Sequence, residues 1–367
     1  MNTGTLIATK SVSIATVFIL MAALLITKAA AMGFSVTPEL PENQRQNGSS
    51  FFDLLVEPGM QQVIKIQIAN QGSEEITVLV ELITASTARN GQINYTASGQ
   101  MDITLQYSFE DIATIPQSYF TVPARGEIEV PITIIVPADR FEGAILGSIR
   151  VLRETTDEER EAAGMLVNRF AKVTAVRLVQ SENAEEVITP GFELGEIVME
   201  LVNYRASIIA NIRNTQPMIK KGARATAGIF PADSNLPIFE NVMESVDFAP
   251  NSIFPYSFID RDGLGIDPGD YTARITIEYR NETWTFEENF TITAEEAGII
   301  NEGALNQTIV NTSFPIPLWG MIAIVIGALL LMILIIIIVV IVCKRTMKVC
   351  VEDLLKEYEA KKALTVK

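Results

Sequence analysis

The 367-residue sequence contains no histidine. That removes the commonest general base and the commonest zinc ligand, so hydrolases and metalloenzymes built on them are excluded. Only two cysteines occur, Cys343 and Cys350, close to the C-terminus. Their CxxxxxxC spacing matches no metal site and reads as an inert pair. Everything before them has no thiol, so any folded domain there rests on its hydrophobic core without disulfide staples. No lysine between positions 32 and 317 follows Ser or Thr by three residues, so the S-x-x-K nucleophile pair is missing too. Positive charge is also scarce in that stretch: 19 Lys and Arg stand against 40 Asp and Glu, a net −21. Such an acidic surface disfavours non-specific adhesion to nucleic acid, teichoic acid or anionic lipid.

What the sequence does have is one long apolar run. Residues 318–342, LWGMIAIVIGALLLMILIIIIVVIV, are 25 positions without a charge. As a helix this run is roughly 37 Å long at about 1.5 Å per residue, enough to cross a hydrocarbon core. A lone segment in lipid pairs its backbone internally only as a helix. Lys344, Arg345 and Lys348 follow it, and uncharged Phe314, Pro315, Ile316 and Pro317 precede it. The positive side stays in the cytoplasm, so the expected topology is single-pass, N-terminus outside, with 343–367 as a cytoplasmic tail. Trp319 suits an interfacial anchor. In that tail Val351, Leu354, Leu355 and Tyr358 fall at helical spacing, a weak amphipathic pattern. At the other end, Lys10, an apolar stretch over 12–26 and Ala29, Ala30 and Ala31 read as a signal peptide over 1–31.

The exterior reads as β. QQVIKIQIAN (61–70) alternates Ile64, Ile66 and Ile68 with Lys65 and Gln67, and EIEVPITIIV (127–136) alternates Ile128, Val130, Ile132, Ile134 and Val136 with polar residues. Strict period two means one buried and one wet face, as in an antiparallel sheet. Pro131 has no N–H for a ladder and points to an edge strand. About seven such strands over 32–155 fit an Ig-like β-sandwich. ETTDEERE and AAG then read as a linker over 156–164. A second sandwich follows over 165–295. Its strands are expected near 192–202 and 207–214. A hairpin pairs 271–279 with 283–292 through Arg280, Asn281 and Glu282, setting Ala273, Ile275, Ile277 and Tyr279 against Trp284, Phe286, Phe290 and Ile292. Trp284 on that apolar face reads as core rather than a sugar platform. Residues 296–317 carry few strand signals and read as a stalk.

Two further motifs have modest content. DRDGLGIDPGD (260–270) gathers Asp260, Asp262, Asp267 and Asp270, oxygens that a hard cation could use. Gly263 follows Asp262 at once and position twelve lacks Glu, so it fails as an EF-hand and reads better as a turn. Asn47, Asn94, Asn281, Asn289, Asn306 and Asn311 open N-x-S/T triplets, acceptors only in a glycosylating host.

Taken in order, several motifs carry a resemblance. They are FSVTPELPENQ (34–44), FFDLLVEPG (51–59), NGQINYT (90–96) and VPADRFEGAILGSIRV (136–151), then FAPNSIFPYSF (248–258), PGDYTARITIEY (268–279) and WTFEENFTI (284–292). With the signal, span and basic tail in this order, the chain resembles the WxL-interacting proteins of Gram-positive bacteria. The resemblance implies a peptidoglycan-binding Ig-like domain followed by a host-binding one on a single-pass anchor. It also implies retention of secreted WxL-domain proteins at the cell surface. It brings no catalytic residues, and its binding residues are not assignable from motifs.

The expectation is therefore an all-β chain of two tandem Ig-like sandwiches and one C-terminal transmembrane helix. Its expected role is a non-enzymatic surface scaffold in the plasma membrane, without metal or cofactor. The partners implied are WxL-domain proteins, peptidoglycan and host matrix protein, with no nucleic acid. The alternatives are a surface-assembly chaperone using β-strand addition and a wall-sugar hydrolase using paired carboxylates.

Overall fold

The two segments with the strictest alternation become strands and pair with each other. Gln61–Asn70 runs antiparallel to Glu127–Ile135, with Ile64 opposite Ile132 and Ile66 opposite Val130. Ile64, Ile66, Ile68, Val130, Ile132 and Ile134 are all buried, since period two puts each on the same face. The computed structural model describes residues 33–45, 50–155 and 170–308, with isolated positions 326, 327, 330 and 344. The expected signal peptide, the linker at 156–164, the span at 318–342 and the tail with Cys343 and Cys350 lie outside the described residues, those isolated positions aside. Among the described residues no helix is long and apolar enough to cross a membrane.

The first half contains β1 (Phe34–Glu39), β2 (Phe52–Leu55), β3 (Gln61–Asn70), β4 (Ile76–Thr84), β5 (Ser86–Thr87), β6 (Ile93–Asn94) and α1 (Phe109–Ile112). It continues with β7 (Ala113–Thr114), β8 (Tyr119–Val122), β9 (Glu127–Ile135), β10 (Ala144–Arg153) and β11 (Ala171–Val179). One sheet has the order β1-β3-β9-β7 and the other β2-β11-β10-β4-β8. The inward side chains of both sheets share one core that includes Phe52, Ile66, Val80, Ile132, Ile149 and Leu178. Pro131 sits opposite Lys65 of β3, and the two-residue β7 covers only Thr133 and Ile134 on the other side. The free side of β9 at Pro131 is therefore an edge, where a missing N–H does no harm.

The second half contains β12 (Glu193–Val202), β13 (Arg205–Asn214), β14 (Lys220–Pro231), β15 (Phe239–Phe248), β16 (Ser252–Ile259), β17 (Gly269–Tyr279), β18 (Glu282–Ile292) and α2 (Ala294–Thr308). Its sheets run β12-β13-β16 and β15-β14-β17-β18 around a second core. The expected hairpin forms, with Ile277 opposite Trp284 and Ile275 opposite Phe286. Its loop is two residues, Arg280 and Asn281, because Tyr279 already pairs with Glu282; Arg280 takes φ 56°. Trp284 packs against the core and meets Phe192 edge-on, 5.0 Å between centroids.

Two expected boundaries move. The strand Ala171–Val179, which the sequence reading placed in the second half, belongs to the first. It runs antiparallel to β10 from Ala144 to Leu152 and parallel to β2, with Val176 and Leu178 fully buried in the first core. The acidic run at 154–161 therefore falls within the connection between two strands of one sheet. Local composition cannot reveal this, because β11 is recognised by its neighbours across the sheet rather than along the chain. The stalk expected over 296–317 begins instead as helix. Ala297 is buried in the second core, Ile300 and Ala304 pack on it, and Asn301 bonds both the N–H and the C=O of Ile266. Thr293 and Glu296 form a reciprocal capping box: Thr293 Oγ1 accepts from Glu296 N at 3.2 Å, and Glu296 accepts from Thr293 N at 2.9 Å.

Candidate binding groove

Between β4 and β10 the chain makes an excursion, 85–107, that leaves the first core and lies on the second half. Its short hairpin pairs Ser86 with Asn94 and Thr87 with Ile93. Thr87 Oγ1 and Ser252 Oγ are 2.7 Å apart and buried, and Thr87 Oγ1 accepts from Ala249 N at 3.0 Å. Gly91, in the Asn90-Gly91 turn, accepts from Asp247 N at 2.8 Å. Further on, Asp102 accepts from Arg213 Nε at 2.6 Å and Nη2 at 3.1 Å, and from Thr104 N and Oγ1. Burial pushes the Asp102 carboxyl up, but the Arg213 and Thr104 bonds outweigh it and hold it below the usual carboxylate range. Ala144 N donates to Pro217 O at 2.8 Å beside Gly143, whose φ is 66° and where a Cβ would lie 1.9 Å from that oxygen. The two cores are thereby locked along a polar seam.

Two groups flank this seam, Lys220 buried and Tyr95 half-buried. Lys220 is fully buried, with Nζ donating to Gly191 O at 2.8 Å and to Asn214 Oδ1, and lying 4.3 Å from the Phe192 ring centroid. Burial lowers its pKa to about 7. Tyr95 is pushed up to about 12, by burial first and then by the Asp247 charge.

The excursion also walls a groove of about 660 Å³ on the first half. Its floor is the edge of β4. β8 pairs with β4 only from Ile76 to Leu79, and Val80 N donates to Ser118 O at 2.8 Å. There the chain turns away to β7, which joins the opposite sheet. β4 runs on to Thr84, paired with β10 on its other side. The alternation that sends Val80 N–H toward Ser118 sends the Leu82 peptide the same way, past the end of β8. Glu81 and Arg150 form a cross-strand ion pair of 2.6 Å on the wall, and Ser98 donates to Glu110 at 2.9 Å. Arg150 Nε is buried with no hydrogen-bond partner among the described residues. Among the described residues no aromatic ring lines the groove. A smaller cavity, about 370 Å³, lies between the 88–96 hairpin and Val173 and Ala175 of β11.

The sequence reading assigned no binding residues, and Glu81, Ser98, Glu110 and Arg150 were not singled out by it. The available signal was a charge at an alternating position within strong apolar strands, at Glu81 in ITVLVELIT and Arg150 in AILGSIRVLR. The segment NGQINYT does line these cavities. Asn94, though, uses its side chain locally, donating to Ala97 O and accepting from Thr96 N and Oγ1. In the Asp-rich loop, Asp260 accepts from the N–H groups of Asp262, Gly263 and Gly265, and Asp270 accepts from Thr291. The loop is thus held as a turn by its own carboxylate. Among the described residues no cluster of His, Cys, Asp or Glu has the arrangement of a metal site.

Two family models match the chain, in order. The WxL Interacting Protein peptidoglycan binding domain matches residues 34–153, and the WxL Interacting Protein host binding domain matches 161–302. None of the curated proteins matches the chain. Similar solved structures include a PapD-like domain of human CEP192, at 12% identity over 43% of this chain and 92% of that one, TM-score 0.27. The CupB2 chaperone of Pseudomonas aeruginosa is 8% identical over 64% and 95%, TM-score 0.27. The CsuC-CsuE chaperone-adhesin complex of Acinetobacter baumannii is 10% identical over 61% and 89%, TM-score 0.28. Scores this low carry no argument about function.

Proposed function

The chain belongs to the WxL Interacting Protein family, and from that premise we propose that it is a non-enzymatic scaffold of the bacterial surface, anchored in the plasma membrane by 318–342. Its matched regions are those of a peptidoglycan- and host-binding surface protein. The observation that carries the reading is the pair of matches, binding domain after binding domain, over most of the chain. In this reading each half is an Ig-like sandwich, the first holding peptidoglycan and the second presenting a face to host matrix protein, while the pair retains WxL-domain proteins. The uncharged run of 25 residues, followed by Lys344, Arg345 and Lys348, supports a single-pass anchor with its C-terminus in the cytoplasm. The absence of histidine supports a non-enzymatic role. The polar seam supports a rigid presenting arm, since its buried bonds tie both halves together.

Sedimentation of the purified full chain with insoluble peptidoglycan tests the wall function, and capture of a purified WxL domain tests the scaffold function. Retention of both ligands is expected. Failure to bind either one at tens of micromolar would sink the proposal.

A further inference from the structure

The groove has the chemistry of a peptide site rather than a sugar site. Its floor is a strand edge over 81–83 that faces no neighbouring strand, because β8 pairs with β4 only as far as Leu79. Edge peptide groups of this kind are satisfied by another backbone, which offers a C=O to an N–H and an N–H to a C=O. Sugar rings are commonly held by stacking on aromatic faces, and among the described residues the lining supplies no aromatic side chain. The walls carry two carboxylates, Glu81 and Glu110, against one guanidinium, Arg150. Glu81 is neutralised by its ion pair with Arg150, whereas the exposed Glu110 meets only the Ser98 hydroxyl. One negative charge is thus left over, which suits a ligand with a free amine.

We propose that this groove binds the peptide moiety of peptidoglycan rather than its glycan strand. An extended peptide adds to β4 at Leu82 and sets an amine-bearing side chain against Glu110. A peptide of about four residues spans ~14 Å at strand rise, longer than the exposed edge, so its ends reach past Ser118 and Ser98. This inference rests on the peptidoglycan-binding reading above and names the part of the polymer that is held.

The test uses the full chain and three probes: intact insoluble peptidoglycan, glycan oligomers stripped of peptide, and a fluorescent lysine-containing wall-type peptide read by anisotropy. The peptide is expected to bind and to displace the chain from peptidoglycan, and the stripped glycan to do neither. Glu110→Gln is expected to weaken peptide binding about tenfold, the scale of one charge-assisted hydrogen bond. Acetylating the peptide amine should cost the same and add nothing to the variant. Ser98→Trp, at an exposed wall position, blocks the groove and abolishes peptide binding with the melting temperature unchanged. Binding of stripped glycan in place of peptide overturns the proposal, as does peptide binding that is indifferent to both substitutions. Equal binding of an unrelated extended peptide also overturns it, making the groove a general strand acceptor. Binding of intact peptidoglycan without the free peptide defeats this inference alone; binding of neither defeats the wall function itself.

Discussion

Deleting β11 should unfold the first half although the deletion lies outside the residues 34–153 matched by the first family model. The comparison is between two fragments, 33–155 and 33–190, which differ by β11 and its flanks. β11 places Val176, Leu178 and Val179 with none of their surface exposed. Fully burying an aliphatic side chain contributes ~1.5–3 kcal/mol, so these three contribute about 5–9 kcal/mol. That equals most of the ~5–15 kcal/mol that holds a typical domain together. The loss also opens one edge of β10 from Ala144 to Leu152 and takes Arg177 from the buried carboxylate of Asp53, 3.4 Å away. Both fragments lose the second half equally, so the difference between them isolates β11. Far-UV circular dichroism through a urea series is the assay. The longer fragment should unfold cooperatively, and the shorter should show no transition until a peptide covering 168–182 is added. A shorter fragment that melts cooperatively at the same midpoint would refute the assignment of β11 to this sheet.

Other predictions concern single residues. Asp102→Ala removes one partner of a buried, forked ion pair and should cost ~3–5 kcal/mol in the full chain, measured by chemical denaturation. Because the folded carboxyl of Asp102 sits below its ordinary value of 3.8, its contribution is present above that value and disappears as pH falls through the folded pKa. The gap between wild type and Asp102→Ala should therefore narrow in strong acid; a gap that is flat with pH would contradict the ion-pair account. Lys220 acts with the same sign in a higher window, with a folded pKa near 7 against 10.5 for the free group. The unfolded chain binds more protons between those values, so stability should rise with pH across that window and level off above it. Lys220→Met should remove that rise in the denaturation midpoint, and a rise of the same size in the variant would exclude Lys220 as its source. Gly147→Ala places a Cβ 2.3–2.5 Å from Phe109 atoms in the first core and should cost at least ~1–3 kcal/mol, with Phe109→Leu restoring part of it. Additive effects in that double-mutant cycle would contradict the contact.

The strands with strict alternation were legible in advance, down to the residues that face inward. β3 has the bounds its pattern indicated and β9 ends one residue earlier, while β12 and β13 start within two residues of expectation. The capping box at Thr293 and Glu296 is equally readable as T-x-x-E, but the lack of strand signal around it points to a stalk. The groove was not readable at all. Its walls come from β4, the 96–98 loop, α1 and β10, and its polar side chains are ordinary surface residues until those segments meet. The motifs that carried the family resemblance are largely strand and turn residues, which record packing rather than ligand chemistry. For that reason they identified the family without identifying a site.

Periodicity, charge and apolar length are properties of neighbouring residues, so the sequence alone specified a β-rich, acidic chain without a thiol before Cys343, and the faces its strands bury. Which strand joins which sheet is a matter of long-range register. β11 closes the first sheet across a connection from residue 154 to 170, because Val176 and Leu178 complete a core begun more than a hundred residues earlier at Phe52. The seam depends likewise on Asp102 meeting Arg213, 111 positions apart. The open edge of β4 exists only because β8 stops opposite Leu79 and the neighbouring segment, β7, joins the other sheet. None of these is encoded in any local window; each follows from burying two faces of apolar surface at once, a condition that only the folded chain meets.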